Sequence, residues 1–182
     1  APYDDPDALV RMGNECAVVT TEFENPPATA LQQLASRTLV APNPEAVATA
    51  QDRIAEKRFL SDAGLPIGPY AVVEHGQADR DVDYPAILKT ARLGYDGKGQ
   101  RLVADGSEMR AVWALLGGVP CVLERALALS TELSVVAART VDGGFAAYPV
   151  AENSHVDGIL DLSVVPAHVT SKLADRAVGL AM

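Results

Sequence analysis

The sequence predicts a mixed chain, α/β at its start and α+β after about residue 66, on three observations. Between Cys16 and Ala63, short apolar runs alternate with helical periodicity in the order strand, helix, strand, helix, the pattern of a parallel α/β unit. From Ile67 to about Val150 the extended runs crowd together, with the helical stretch Gly106–Leu116 among them. Within that second region lies Tyr84–Gln100, YPAILKTARLGYDGKGQ, in which an apolar run delivers Lys89 towards Gly94, Gly97, Lys98 and Gly99.

The elements follow in order. Asp7–Met12 is helical in period, with Gly13 as its stop. Cys16–Thr20 reads as a strand buried on both faces. Thr20–Asn25 then places Glu22 and Glu24 at the strand's carboxyl end, where open α/β sheets bind ligands; a polar loop capping the next helix is the other reading. Pro26-Pro27 opens a helix to about Ser36, with Leu31 and Leu34 on one face. Thr38–Ala41 is a second strand, and Asn43-Pro44 starts a further turn or helix. Gln51–Ala63 is helical, with Ala55, Phe59 and Ala63 sharing a face, Ile54 and Leu60 flanking it, and the charges Asp52, Arg53, Glu56, Lys57 and Arg58 reading as its solvated surface. Gly64 ends it and Pro66 bars its continuation.

In the second region, Pro69–Glu74 is strand-like, and Gln77–Asp83 fits a helix or a loop. Ala86–Leu88 and Arg101–Ala104 form the arms of a β-hairpin around the glycines. Met109, Val112, Trp113 and Leu116 share one helical face, with Trp113 a core residue. Pro120–Glu124 is a strand ending in a carboxylate, and Glu132–Arg139 is another, turned by Gly143-Gly144 into Phe145–Val150. Ser163–Pro166 closes the extended region, and Ala167–Met182 is helical. Ile67 to about Val150 thus reads as one α+β module with Gly106–Leu116 packed across its strands.

Composition narrows the function. An apolar fraction of 48% in 182 residues supports a packed core in one ordinary domain or two small ones. A net charge of −9 argues against nonspecific nucleic-acid binding, which depends on neutralising phosphates. No run approaches the roughly 18 apolar residues of a membrane span, and no secretory signal opens the chain. Cys16 and Cys121 lie in apolar surroundings and read as buried reduced thiols, in keeping with a cytoplasmic protein. His75, His155 and His168 are too scattered for a zinc spacing. The chain starts without methionine and stops inside a helical pattern, so it is expected to be part of a longer polypeptide.

The Gly94–Gln100 loop fits no common phosphate-binding spacing. A Walker loop needs four residues between its first two glycines and a helix after it, and a dinucleotide fingerprint needs G-x-G-x-x-G before a helix. Here two residues separate Gly94 from Gly97, and a strand follows. Glycines between two strands can still bring backbone N–H groups close to an anion, with Lys89 and Lys98 supplying charge. A plain hairpin turn that contains a lysine is the alternative.

The motifs VTTEFENPP at Val19–Pro27, QDRIAEKRFL at Gln51–Leu60, LKTARLGYDGKGQ at Leu88–Gln100, Glu124 with TELSVVAAR at Thr131–Arg139, and YPVAENSHVDGIL at Tyr148–Leu160 cover nearly the whole chain. Together they resemble the ATP-grasp superfamily, and within it the biotin-independent N5-carboxyaminoimidazole ribonucleotide synthetases of purine biosynthesis. The resemblance implies an incomplete ATP-grasp fold: the tail of an N-terminal α/β domain with its connecting helix at 1–66, the central lid module at 67–127, and the start of the C-terminal ATP-grasp domain at 128–182. It implies a carbon–nitrogen ligase that carboxylates 5-aminoimidazole ribonucleotide with ATP and bicarbonate through carboxyphosphate, as a cytoplasmic homodimer in the complete protein. By the same resemblance, Lys89 meets the ATP phosphates, and Gly94, Tyr95, Asp96, Gly97, Lys98, Gly99 and Gln100 fold over them. Tyr95 and Asp96 reach towards the ribonucleotide and Lys98 towards the transferring phosphate, which makes these three the catalytic candidates. Glu124, Arg125, Ala126 and Leu127 form the hinge that reads adenine, Glu132 accepts the ribose hydroxyls, and Arg53 and His155 are further nucleotide contacts.

Two departures matter. Arg92-Leu93 stands where several relatives have Arg-Gly, a change expected to leave the loop intact, and Leu127 and Leu129 replace bulkier residues. The family's magnesium carboxylates are expected outside this chain, so no residue here is assigned to Mg2+. A noncatalytic nucleotide-binding fragment, and a sister ligase such as formate-dependent glycinamide ribonucleotide transformylase, are the alternatives.

Overall fold

The computed structural model describes residues 1–94 and 97–182. They fall into two compact units: Ala1–Gly94 with Gly99–Arg125, and Ala126–Met182 with the described part of Tyr95–Lys98.

The first unit opens with α1 (Pro6–Glu15), capped by Asp5, whose carboxylate accepts from Ala8 N at 2.9 Å. The helix runs past Gly13, the expected stop. A Cβ at Gly13 would lie 2.9 Å from the Arg37 side chain, so glycine here admits a close neighbour and ends nothing. The next strand is shorter than expected: β1 (Val18–Val19) pairs in parallel with β2 (Leu39–Val40). Nor is it buried on both faces, because the sheet has only these two described strands. Val18 and Leu39 are each 52% exposed, and Cys16 is exposed, contrary to the buried thiol expected there. Leu31 and Leu34 of α2 (Ala28–Ala35) pack with Leu9, Val40 and Val47 of α3 (Pro44–Ala50) into a small core. Asn43 caps α3, its side chain accepting from Ala46 N at 2.7 Å.

Helix α4 (Arg53–Asp62) is capped by Asp52. A Schellman turn at Gly64 ends it, with Gly64 N donating to Ser61 O and Leu65 N to Leu60 O. Its inward face is not the expected Ala55–Phe59–Ala63 stripe. Phe59 is 60% exposed, whereas Ile54 is buried against Val72, Ala91 and Val122. Lys57, one turn beyond Ile54, therefore faces the sheet.

That sheet is antiparallel, in the order β4 (Gln77–Ala78), β3 (Tyr70–Glu74), β7 (Cys121–Arg125), β5 (Ala86–Thr90), β6 (Gln100–Val103). Gln77–Asp83 is thus a short strand and loop, not a helix. The register sorts the side chains by face, since alternate residues point to opposite sides. Ala71, Val73, Ala86, Leu88, Val103, Cys121 and Leu123 make one face, nearly inaccessible, and α5 (Met109–Leu115) covers it with Met109, Val112 and Trp113. Trp113 donates its indole N–H to Val119 O at 2.7 Å. Tyr70, Val72, Ile87, Lys89, Gln100, Val122 and Glu124 share the opposite face, towards α4.

In the second unit the expected strand Glu132–Arg139 breaks into β8 (Glu132–Ser134) and β9 (Ala137–Arg139). β9 and β10 (Phe145–Ala147) form the hairpin read from Gly143-Gly144. β8 instead pairs with β11 (Ala151–Val156), which continues into β12 (Ile159–Val164). Ile67–Val150 is therefore not one module. Its strand β8 hydrogen-bonds with β11, a strand the sequence pattern hid because its residues Glu152, Asn153, Ser154 and His155 are polar. α6 (Ser171–Ala181) follows, capped by Thr170.

Candidate functional site

In the first unit, the β5–β6 hairpin carries Gly94 and Gly99 of the glycine loop, whose described residues Gly97 and Lys98 group with the second unit. Its arms pair from Ala86↔Val103 to Lys89↔Gln100, and Thr90 N donates to Gly99 O at 2.8 Å to close it. Gly99 is fixed by its surroundings. It has φ +74°, and a Cβ there would meet Thr90 Oγ1 at 2.6 Å and Gly94 Cα at 3.3 Å. Gly97 also has positive φ, at 72°, and Lys98 is exposed in the turn. Leu93 takes φ +61° and is 73% exposed, so a branched side chain occupies a left-handed position that glycine would hold without strain. Tyr95 and Asp96, expected to reach towards the ribonucleotide, lie outside the described residues.

Two cations converge on one carboxylate on the α4 side of the sheet. Glu124 Oε2 lies 3.2 Å from Lys89 Nζ and 3.4 Å from Lys57 Nζ. Lys89 and Glu124 are diagonal neighbours on adjacent strands, because Lys89 opposes Val122 and Glu124 opposes Ile87. Lys57 arrives from α4 and also stands 5.9 Å from the centre of the Tyr70 ring, Tyr70 being the residue opposite Glu124 on β3. These side chains are 16–25% exposed, so the cluster is shielded yet open to a ligand. Sequence reasoning placed Lys57 among the solvated charges of its helix; its spacing of three residues from the buried Ile54 is the signal that locates it.

Arg53, the first residue of α4, is tied to the hairpin's base. Its Nη1 donates to Thr90 O at 3.0 Å and its backbone N–H to Ala91 O at 2.9 Å. Beside it lies a cavity of about 610 Å³ lined by Glu24, Asn25, Gln51, Arg53, Glu56 and Gly94 among others. Gln51, also missed as a site residue, is buried and donates to the carbonyls of Glu24 and Pro26 at 3.0 and 2.8 Å, while Arg92 Nη2 donates to its Oε1 at 3.3 Å. This amide pins the acidic loop after β1. The helix-capping alternative for that loop fails, because the N-cap of α2 is Pro27, which offers no side-chain hydrogen bond. Glu24 turns to this cavity, and Glu22 lines a separate one with Tyr3 and Phe23, whose rings stack at 6.0 Å.

At the end of β7, Arg125 N donates to Pro69 O and its guanidinium pairs with the exposed Asp83 at 3.3 Å. Ala126 and Leu127 follow, with Leu127 half-exposed. In the second unit, β8–β11 pairing (Glu132↔Asn153) brings His155 Nδ1 to 2.6 Å from Glu132 Oε2. Two residues singled out far apart in sequence are thereby joined. Among the described residues, no group of three or more His, Cys, Asp or Glu side chains could hold a metal ion, and no helix is long and apolar enough to cross a membrane.

The ATP-grasp domain family matches residues 58–182, and the ribonucleotide synthetase preATP-grasp domain matches residues 1–51. The N5-carboxyaminoimidazole ribonucleotide synthases of Brucella melitensis biotype 1 and Pseudomonas aeruginosa are each 40% identical to it, over 97% and 98% of this chain and 51% of their own lengths. A crystal structure of an N5-carboxyaminoimidazole ribonucleotide synthetase in complex with ADP superposes with TM-score 0.90 at 35% identity, covering 100% of this chain and 49% of that one. The Staphylococcus aureus N5-carboxyaminoimidazole synthetase complexed with ADP gives 0.87 at 32%, covering 99% of this chain and 50% of that one. The chain thus spans about half the length of the relatives it matches. With the domain match extending over more than half of its own residues, the chain belongs to the ATP-grasp family.

Proposed function

We propose that this chain carries the nucleotide-binding part of an ATP- and bicarbonate-dependent ligase that converts 5-aminoimidazole ribonucleotide to N5-carboxyaminoimidazole ribonucleotide. The observation that carries the reading is Lys89 at the root of a glycine hairpin, on the same sheet face as Glu124. A compact ammonium suits a nonplanar phosphate, and the glycines let the loop's backbone approach an anion closely. In this reading the triphosphate displaces Glu124 from Lys89, and Glu124 with the Arg125–Leu127 backbone faces the adenine edge. Arg53 and His155 make further nucleotide contacts, and the cavity beside Glu24 and Gly94 receives the acceptor side of the reaction. Glu132, oriented by His155, takes the ribose hydroxyls, and Lys98, with Tyr95 and Asp96, serves the transferring phosphoryl group and the acceptor.

The chemistry asks for positioning and charge neutralisation more than for covalent help from the protein. A bicarbonate oxygen attacks the γ-phosphorus, and the bond to the ADP oxygen breaks. The carboxyphosphate formed gives carbon dioxide and inorganic phosphate in the closed pocket. The exocyclic amine of the ribonucleotide then attacks the carbon, forming the N–C bond of a carbamate and passing its proton to phosphate. Exclusion of water protects the intermediate. Mg2+ would neutralise phosphate charge, held by carboxylates outside this chain. The remaining assignments of the reading are a division at residues 66 and 127, a cytoplasmic location and a homodimer for the complete protein.

The test is calorimetric titration of the chain with ADP and with inorganic tripolyphosphate. Lys89→Met should weaken both by about 10-fold or more, the loss expected for one charge-assisted contact. Unchanged affinity removes Lys89 from the phosphate site. For the acceptor, ADP release by the complete protein should require 5-aminoimidazole ribonucleotide and bicarbonate; equal stimulation by glycinamide ribonucleotide with formate refutes it.

A further inference from the structure

Glu124 is shared between two lysines that are held very differently. Lys89 stands beside the glycine hairpin, and in the reading above it must turn to phosphate. Its departure would strip a partner from a carboxylate whose side chain is only 20% exposed, and an uncompensated shielded charge is costly. Lys57 is positioned to prevent that. Its side chain is 16% exposed, its Nζ sits 3.4 Å from the same oxygen, and its helix is anchored to the sheet by Ile54 and by the Arg53 N to Ala91 O bond. The Tyr70 ring holds the ammonium from a second side.

We propose that Lys57 is a positioning residue of the nucleotide site: it retains Glu124 when Lys89 leaves, so that Lys89 can exchange a carboxylate for a phosphate without stranding a charge. Lys57 touches neither phosphate nor base in this arrangement; it acts through Glu124. Its removal leaves Glu124 dependent on Lys89, and the carboxylate then competes with phosphate for that ammonium. The proposal rests on the assignment of Lys89 to phosphate.

The experiment is tripolyphosphate binding by the whole chain, measured calorimetrically for wild type, Lys57→Met, and the double variant Lys57→Met/Glu124→Gln. Methionine keeps the side chain's length against Tyr70, and tripolyphosphate has no base for Glu124 to read. Lys57→Met should weaken binding by roughly 10-fold or more. Adding Glu124→Gln removes the competing charge and should restore affinity to within about threefold of wild type. A Lys57→Met variant that binds as wild type does overturns the proposal. So does a loss that Glu124→Gln fails to restore, which would mean direct phosphate contact or a purely structural role. Failure of the underlying reading looks different: wild type itself then binds no tripolyphosphate, or binds it equally well after Lys89→Met, and the proposal falls with it.

Discussion

Gly99→Ala should destabilise the first unit by about 2 kcal/mol, and the structure says where that energy comes from. At φ +74° an added Cβ meets the steric penalty of the left-handed region, about 1–2 kcal/mol. It also falls 2.6 Å from Thr90 Oγ1, so Thr90 must leave its rotamer or the hairpin must open, at about 0.5–1.5 kcal/mol. Alanine's smaller unfolded-state entropy offsets about 0.4–1 kcal/mol of this. Urea unfolding followed by Trp113 fluorescence reads the effect, because Trp113 packs against the same sheet. Thr90→Ala separates the two causes. In the double variant the collision is gone and the backbone penalty stays, so the cycle should show a coupling of about 1 kcal/mol. A loss below about 0.5 kcal/mol from Gly99→Ala, or zero coupling with Thr90→Ala, would refute the claim that this glycine is fixed by steric contact.

Leu93→Gly should stabilise the same unit by about 0.5–1 kcal/mol, the left-handed strain released at φ +61° less glycine's entropy; equal or lower stability in urea would count against strain at this position. Iodoacetamide at pH 8 should alkylate the exposed Cys16 and spare Cys121, which is fully buried and whose thiol burial pushes up to about 11. Native-state double alkylation seen by mass spectrometry would contradict that. Because the folded chain holds the Cys121 proton more tightly than the unfolded chain, stability should fall as pH rises from about 9 towards 11. Cys121→Val should flatten that loss in alkaline denaturation curves, and an unchanged slope would assign it to other groups.

The helices were legible wherever a cap and an apolar period coincided. Asn43-Pro44 and the Gly64-x-Pro66 stop mark real ends, and Leu31 and Leu34 are as buried as their spacing requires. Strands were legible when their neighbours made them apolar. Ala86–Leu88 and Cys121–Leu123 are central in a five-stranded sheet, with one face sealed by α5. The strand Ala151–Val156 escaped because its middle residues, Glu152, Asn153, Ser154 and His155, are polar and none of them is buried, so no burial imposes an apolar pattern on it. Gly13 misled for the opposite reason: a tertiary neighbour, Arg37, explains a glycine that local propensity reads as a stop.

The site shows the same division between local and tertiary information. The hairpin could be read from its own residues, since glycines and flanking strands are local. The convergence of Lys57 and Lys89 on Glu124 could not, because it joins α4, β5 and β7 over long sequence separations. Helical periodicity nonetheless limits where Lys57 can point once one buried residue of α4 is known. Ile54 occupies the groove above Val72 and Val122, and a residue three positions later lies on the same face, one turn along. One turn is about 5.4 Å, and it carries the side chain from the apolar floor at Val122 towards Glu124, two residues further along the same strand. Had Phe59 been the inward residue, as its size suggests, α4 would be rotated and Lys57 would face water. The exposure of Phe59 and the ion pair at Glu124 are therefore two consequences of one helix rotation, fixed by Ile54.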